Sequence, residues 1–256
     1  MQEHSRLIRL VFVGVAMMLM GSVFGQRNVK DSLLFSPHMS FSFAQHVPGL
    51  DMAKRFGTNS AIGGSFHIKT KTNFYYGVEG TFLFGNNVTE PKLMQNLLTE
   101  NQEIISNDGE ISEVLIQQRG FTLTANAGKI ISFGNLNPNS GILLKGGAGW
   151  MMHKIRLENQ VHTITQLEDE YLKGYDRLTS GLVLSQFVGF YYMGNYRFTN
   201  FYVGAESYQG FTRGRRTINY DTRTTDDQPR TELLVGLRFG WVIHMYKRTG
   251  RDYYYN

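Results

Sequence analysis

The sequence contains no cysteine. A disulfide scaffold, a Cys-ligated zinc site and a thiol nucleophile are therefore excluded. Proline is scarce, at 5 of 256 residues, and charged residues make up 18%, below the roughly 25% of an average soluble domain. A disordered chain combines high charge with few aromatics; here aromatics reach 13%, which excludes that class. Beyond Gln26 there is no long uncharged apolar run, so no segment there is a candidate transmembrane helix. Excess positive charge is modest. The net charge is +5 and the pI near 9.3, but no basic tract exists beyond Arg213, Arg215 and Arg216, and Asp221, Asp226 and Asp227 follow closely. That distribution argues against nucleic acid as a partner.

The N-terminus reads as an export signal. Arg6 and Arg9 precede the apolar run Leu10–Met20, and Gly21-Ser-Val-Phe-Gly25 supplies small residues for cleavage. Cleavage after Gly25 starts the mature chain at Gln26, with a net charge of about +4 after Arg6, Arg9 and Glu3 are removed. An uncleaved anchor is the alternative, but the run is shorter than the ~20 residues that span a bilayer. No cysteine follows the cut, so no lipoprotein anchor is expected.

What the chain does have is period two. Phe74, Tyr76, Val78, Gly80, Phe82 and Phe84 alternate with Tyr75, Gly77, Glu79, Thr81 and Leu83. Leu233, Val235, Leu237, Phe239, Trp241, Ile243 and Met245 form one face of a second such segment, with Gly236, Arg238, Gly240 and His244 on the other. Eight segments of this kind are predicted: 37–46, 58–70, 74–86, 118–133, 141–154, 181–197, 201–216 and 230–246. All reach about ten residues, the length of a tilted strand crossing a bilayer. Connections alternate between short (71–73, 134–140, 198–200) and long (47–57, 87–117, 155–180, 217–229). Short turns on one rim and long loops on the other are the rhythm of an outer-membrane barrel. The fold class is thus all-β: an eight-stranded antiparallel up-and-down transmembrane β-barrel with short periplasmic turns and long extracellular loops. The organisation is a signal peptide (1–25), a periplasmic segment (26–36), the barrel (37–246) and a periplasmic Tyr-rich tail (247–256).

Alternation also assigns faces. Outward fall Met39, Phe41 and Phe43; Ile62, Phe66 and Ile68; Phe121, Leu123 and Ala125; Ile142, Leu144, Ala148, Trp150 and Met152; and Phe201, Val203, Ala205 and Phe211. Inward fall Ser40, Ser42, Ser65, His67, Lys69, Thr122, Thr124, Asn126, Lys145 and Glu206. Apolar outside and polar inside inverts a soluble protein, as hydrocarbon solvent requires. Two points stay open: Lys129 shares the parity of Phe121, and Ser185 and Gln186 compete for the interior of the sixth strand. Aromatic groups at strand ends (Phe74–Tyr76, Tyr191, Tyr192, Tyr196, Phe201, Tyr202, Trp241, Tyr246) are expected to form interfacial belts.

On this pattern, and on Gly- and Tyr-rich strands such as Phe74-Tyr-Tyr-Gly-Val-Glu-Gly-Thr-Phe82, residues 37–246 resemble the small eight-stranded outer-membrane barrels of the OmpA transmembrane-domain, OmpX and OmpW group, most like versions common in Bacteroidota. The resemblance implies a Gram-negative outer membrane and says little about activity. Many such chains end on the last strand; here Lys247–Asn256 follows.

Eight strands enclose a lumen just wide enough for side chains. Glu79, Lys145, Glu206 and Arg238 face inward at similar depth and are expected to pair as an interior charge cluster, either a plug or a gate whose pairs exchange partners. Arg213, Arg215 and Arg216 near the outer rim are candidates to contact lipopolysaccharide, and Tyr253, Tyr254 and Tyr255 to contact a protein partner. In 87–117, Leu93, Met94, Leu97 and Leu98 predict a short amphipathic helix, and Ile104, Ile105 and Val114–Ile116 around Asn107-Asp108-Gly109 predict a hairpin. An enzyme is the weaker alternative. His38 and Ser40 lie inside near the periplasmic end, out of reach of outer-leaflet lipid, and His153 and His162 beside Glu158 and Asp169 lack H-x-x-x-H or H-E-x-x-H spacing. No cofactor or metal is implied. A secreted ligand-binding barrel would need an apolar interior, which Lys145, Glu79 and Arg238 contradict. The expected role is a non-enzymatic structural or accessory subunit of an outer-membrane assembly, in contact with outer-membrane lipids, lipopolysaccharide and other outer-membrane or periplasmic proteins; the alternative is a narrow gated channel or small-solute carrier.

Overall fold

A computed structural model describes residues 32–133, 137–159, 163–194 and 198–245. The segment expected to be a signal peptide, the Tyr-rich tail with Tyr253–Tyr255, and Tyr196, Tyr246 and His162 lie outside the described residues. The long strands are β1 (Ser36–Gly49), β2 (Asn59–Lys69), β3 (Phe74–Gly85), β6 (Val114–Ile131), β7 (Gly141–Asn159), β8 (Thr179–Tyr192), β9 (Phe201–Gly214) and β10 (Pro229–His244). A two-residue hairpin, β4 (Ile104–Ile105) and β5 (Ile111–Ser112), sits in the second long loop. The eight long strands close into one antiparallel ring in the order β1-β10-β9-β8-β7-β6-β3-β2. Every pairing in the ring but one joins long strands that follow each other in the chain; the exception, β1 with β10 from His38↔His244 to Gly49↔Leu233, closes the ring and leaves no free edge.

Which side of the wall is greasy follows from burial. Leu237 is 68% exposed, Phe82 42% and Trp241 37%, while Glu79 and Arg238 are 3% and 1% exposed. Met39, Phe41, Phe43, Ile62, Phe66, Phe121, Leu123, Leu144, Trp150 and Val203 are likewise exposed. A water-facing barrel with this exterior would aggregate; a bilayer is the solvent it fits.

The sixth strand resolves in favour of Ser185, which is buried, with Gln186 on the outside. Lys129 is outward and lies at the short-turn rim: it pairs with Phe74, the first residue of β3, and its ammonium stands 5.2 Å from that ring's centroid. At the rim a lysine reaches water while its stem covers apolar surface.

Several sequence expectations are corrected. Tyr75, Tyr191 and Tyr202 are not belt residues; they are buried inside the barrel. Consecutive aromatics cannot share a face of a strand, so Phe74, Tyr76, Tyr192 and Phe201 hold the wall while their neighbours turn inward. Strands β6 and β7 run further than expected, pairing up to Val114↔Asn159, so the second and third loops are shorter. The apolar outer face ends near Phe121 and Met152, but backbone pairing continues above it with polar side chains outward. Val114–Ile116 therefore belong to the barrel, and the hairpin is only β4–β5, turned by Gly109 at φ 81. The helix expected at Leu93–Leu98 is absent: Lys92 and Met94 have left-handed φ values of 61 and 57, which interrupt a right-handed helix. Its apolar residues are nevertheless used, with Met94 buried and Leu93, Leu97 and Leu98 packed against the core.

The interior is layered. Near the short turns, His38, His67, His244, Tyr75 and Tyr191 pack ring against ring, His38 and His67 stacked and the others tilted or edge-on. Lys69 Nζ donates to Asn139 Oδ1 (2.8 Å) and the Leu34 carbonyl (3.2 Å). Charge occupies the middle. Toward the long loops the filling is mostly apolar, around the buried His153–Glu232 pair: Leu83, Met151, Ile155, Leu157 and Leu234 from the strands meet Met52, Phe56, Met94, Ile164 and Tyr175 from the loops.

If the exterior faces hydrocarbon, an arginine at Leu237 destabilises the folded barrel by about 2–4 kcal/mol, and one at Thr231 near the long-loop rim by about 0–1 kcal/mol. Urea unfolding from lipid vesicles checks this; equal penalties at the two positions would show that the wall is not in lipid.

Candidate functional site: the charged lumen and the clasped loops

The central cluster is assembled from five strands. Glu79 on β3 accepts from Lys145 Nζ of β7 at Oε2 (2.6 Å) and from Arg238 Nη1 of β10 at Oε1 (2.8 Å). Arg238 Nε lies 2.6 Å from Glu206 Oε2 of β9 as an ion contact, and Glu206 Oε1 lies 2.7 Å from His46 Nε2 of β1. Arg238 Nη1 also donates to Ser42 Oγ (2.8 Å) and Nη2 to the Tyr208 hydroxyl (2.9 Å), which in turn donates to Glu79 Oε1 (3.2 Å). The Lys145 ammonium stands 5.4 and 5.9 Å from the ring centroids of Phe187 and Tyr202. The structure thus brings Glu79, Lys145, Glu206 and Arg238 together, and all four are buried. Two carboxylates and two cations sum to zero. A buried charge is tolerated when its partner and further hydrogen bonds are in place, and each of these four has both or an aromatic face.

Gly63 makes room for it. A Cβ there would meet Ser42 Oγ at 2.7 Å, Thr81 Oγ1 at 3.1 Å and Arg238 Nη1 at 3.2 Å. Ser42 and Glu206 were legible as inward residues by alternation, and the same parity rule extended to His46, Tyr208 and Thr81 would have found the rest of the shell. Gly63 carried no such signal, because a glycine does not show which neighbour needs its space.

Above the apolar layer, side chains from all four long loops meet. Arg55 of the first loop contacts Glu90 of the second (2.8 Å) and Asp226 of the fourth (2.5 Å). Arg177 at the end of the third contacts Glu90 (3.1 Å) and Asp221 of the fourth (2.6 Å). Arg216 pairs with Asp176, and Arg230 with Asp226. Burial draws the Arg55 guanidinium below its usual value, against the fields of Glu90 and Asp226. Burial alone would raise the Asp226 carboxyl; the hydrogen bonds and charges of Arg230 and Arg55 outweigh it and hold it below 3.8. The hydrogen bond to Asp176 raises Arg216. Sequence reasoning missed this clasp, since loops have no period and nothing in the spacing of Arg55, Glu90, Arg177 and Asp221 announces contact.

The remaining sequence candidates are placed as follows. Arg216 turns to Asp176 within the clasp; Arg215 donates to Ser180 Oγ (2.9 Å) and lies 5.7 Å from the Trp150 ring centroid; Arg213 is exposed on the outer face. His153 is a strand residue inside the barrel, bound through Nε2 to both Glu232 oxygens at 2.9 Å, and is not in a loop site with Glu158, which pairs outside with Arg156. His38 bonds the Tyr75 hydroxyl (3.1 Å) and Ser40 bonds Ser65 (2.6 Å), so the two do not form a nucleophile and base. Among the described residues no three His, Asp or Glu side chains are placed to hold a metal ion.

Two predictions follow from these geometries. Replacing Arg238 by Met strips Glu79 and Glu206 of their shared cation and destabilises the barrel by about 3–5 kcal/mol. Changing Glu79, Lys145, Glu206 and Arg238 together to Gln, Met, Gln and Met is expected to be milder in the same urea assay. The second concerns pH. A carboxyl whose folded value is depressed contributes stability above its unfolded value, and loses it as pH falls through the folded value. Hydrogen exchange in segments 50–58 and 215–228, corrected for intrinsic rate, should therefore stay slow above 3.8 and accelerate below it, while Asp226→Asn accelerates it at neutral pH. Protection unchanged in both tests would remove Asp226 from the clasp.

No protein-family model and no curated protein matches the chain. Among solved structures, the chain is similar to Ail, the attachment invasion locus protein of Yersinia pestis, at 11% identity and a TM-score of 0.40, covering 82% of this chain and 99% of Ail. It is also similar to Neisserial surface protein A, at 8% identity and a TM-score of 0.41 (81% and 96% covered), and to the outer membrane protein OprG of Pseudomonas aeruginosa, at 13% identity and a TM-score of 0.32 (82% and 96% covered). At such low identity and superposition these likenesses carry no weight on function. The closed ring, the apolar exterior and the paired charges within make this chain an eight-stranded transmembrane β-barrel of the type found in Gram-negative outer membranes.

Proposed function

We propose that the protein is a non-enzymatic and non-conducting outer-membrane barrel that acts through its outer surfaces, as a structural or accessory subunit of an outer-membrane assembly such as a secretion or uptake complex. One observation supports this reading: strands from around the ring bring Glu79, Lys145, Glu206 and Arg238 together in the lumen as a buried, neutral, hydrogen-bonded charge cluster beneath clasped loops. A filled interior leaves the wall, the loops and the tail as the surfaces for contact. The rival, a narrow gated channel or small-solute carrier, needs two separate barriers to open: the Glu79–Arg238–Glu206 chain and the Arg55–Glu90–Arg177 clasp. A lipid-modifying enzyme has less support, because the buried histidines are engaged by Tyr75, Glu206, Glu232 and Ser36.

The test is affinity purification from native membranes after mild detergent extraction, paired with planar-bilayer recording of the purified barrel. Stoichiometric co-purifying membrane proteins and a silent bilayer are expected. A barrel recovered alone counts against the assembly role, and unitary conductance that Glu79→Gln alters would establish the channel instead.

A further inference from the structure

The outer wall carries a feature that neither the lumen nor the clasp uses. On one rung Phe41, Gly64, Gly80, Leu123 and Trp150 stand side by side across β1, β2, β3, β6 and β7. Two adjacent glycines in an otherwise bulky wall leave a recess of about 290 Å³, lined by Met39, Phe41, Gly64, Phe66, Val78 and Gly80. A Cβ at Gly64 would meet nothing within 4 Å, and one at Gly80 would meet the Phe121 ring at 3.5 Å. The recess opens outward, toward hydrocarbon.

Four residues along β6 toward the long loops, roughly 13 Å at the rise of a strand, Leu123 gives way to Arg119. Directly opposite on β7 stands Lys154. Both point outward just above the apolar belt, one rung over Phe121 and Met152. Like charges placed directly across a strand pair repel. The hydrogen bonds of Arg119 go to neutral oxygens, those of Gln117 and the Gln118 carbonyl, while the charges of Arg156 and Glu158 act on it from nearby with opposite sign. Arg213 and Arg215 extend the arc: Arg213 pairs in register with Ser180, itself the partner of Met152, and Arg215 lies over Trp150. Among the described residues no carboxylate pairs with Arg119, Lys154, Arg213 or Arg215. The adjacent acid, Glu158, is taken by Arg156 at 3.2 Å.

We propose that this face, the glycine recess below and the arginine–lysine arc above, is a binding site for a single lipid class: outer-leaflet lipid with phosphate groups on its head and saturated acyl chains, the chemistry of lipopolysaccharide. Phosphate oxygens accept from the guanidinium groups and the ammonium and relieve the Arg119–Lys154 repulsion. An acyl chain fills the gap that Gly64 and Gly80 leave, restoring contacts that a void forfeits. The charge of the arc selects the phosphorylated head, and the recess selects an acylated molecule over a free anion. The inference rests on the membrane-spanning wall and is independent of the accessory-subunit role.

Native mass spectrometry of the barrel released from detergent micelles tests it, with bisphosphorylated lipid A, phosphatidylcholine and inorganic phosphate as probes. The wild type is expected to retain lipid A at least tenfold over phosphatidylcholine. R119Q/K154Q should abolish that preference, and Arg213→Gln, exposed and without an ion partner, should reduce it in part. Gly64→Val, for which the wall has space, should lower retention of both lipids severalfold while keeping their ratio. Heat-dependent gel mobility reports whether each variant is folded and so separates loss of the site from loss of the barrel. Equal retention of the two lipids by the wild type, full displacement of lipid A by equimolar inorganic phosphate, or wild-type retention in folded R119Q/K154Q and Gly64→Val would each overturn the proposal.

Discussion

A sheet closed on itself with hydrocarbon outside must satisfy every ionised group it contains without help from bulk water. In this protein that constraint is met by a single guanidinium. Arg238 touches both carboxylates of the central cluster, Glu79 and Glu206, and two hydroxyls besides. It ties β10 to its two neighbours β9 and β1 and, across the lumen, to β3. Lys145 then neutralises what remains of Glu79. Remove the pairing and the lumen must admit water or expel charge; with it in place the lumen is solid.

The layers above and below follow from that choice. Above the charged middle the upper interior is mostly apolar, with methionine, leucine, isoleucine and aromatic side chains contributed by both strands and loops around the buried His153–Glu232 pair. The clasp of Arg55, Glu90, Arg177, Asp221 and Asp226 sits over this apolar layer. It fixes four loops to one another at one point, where fewer water molecules compete for the carboxylates than on an open surface. The long extensions of β6 and β7 carry Arg119 and Lys154 of the outer rim, and the end of β9 carries Arg213. Inside and outside thus use the same residue types differently: the cations of the central cluster, Lys145 and Arg238, are paired with carboxylates, and on the rim Arg119, Lys154, Arg213 and Arg215 have no carboxylate partner among the described residues.

Much of this architecture was written in the alternation of the chain. Phe74–Phe84 and Leu233–Met245 told the wall from the lumen, and the eight segments with their alternating short and long connections fixed the strand count and the side on which the loops lie. The same alternation put Glu79, Lys145, Glu206 and Arg238 in one compartment. It went astray where a second property was laid over it: aromatic clusters at strand ends read as belts although Tyr75, Tyr191 and Tyr202 obeyed the parity rule and turned inward. It also stopped too early on β6 and β7, where the outer face changes from apolar to polar while the hydrogen-bond ladder continues. Leu93, Met94, Leu97 and Leu98 had helical spacing, but left-handed backbone at Lys92 and Met94 let their side chains reach the core from a run of turns.

By itself the sequence determined the period and the sign of each face, because these depend only on which residues alternate along one strand. Only the tertiary structure decided which charges meet. Pairing between Glu79 and Lys145 spans 66 positions and that between Arg238 and Glu79 spans 159, and such contacts are set by the stagger of the closed ring, a property of all eight strands together. The same holds for the recess at Gly64 and Gly80, which exists because two strands bring their glycines to one rung, and for the opposition of Arg119 and Lys154. A one-residue slip of any strand would leave its local pattern intact and move every one of these contacts.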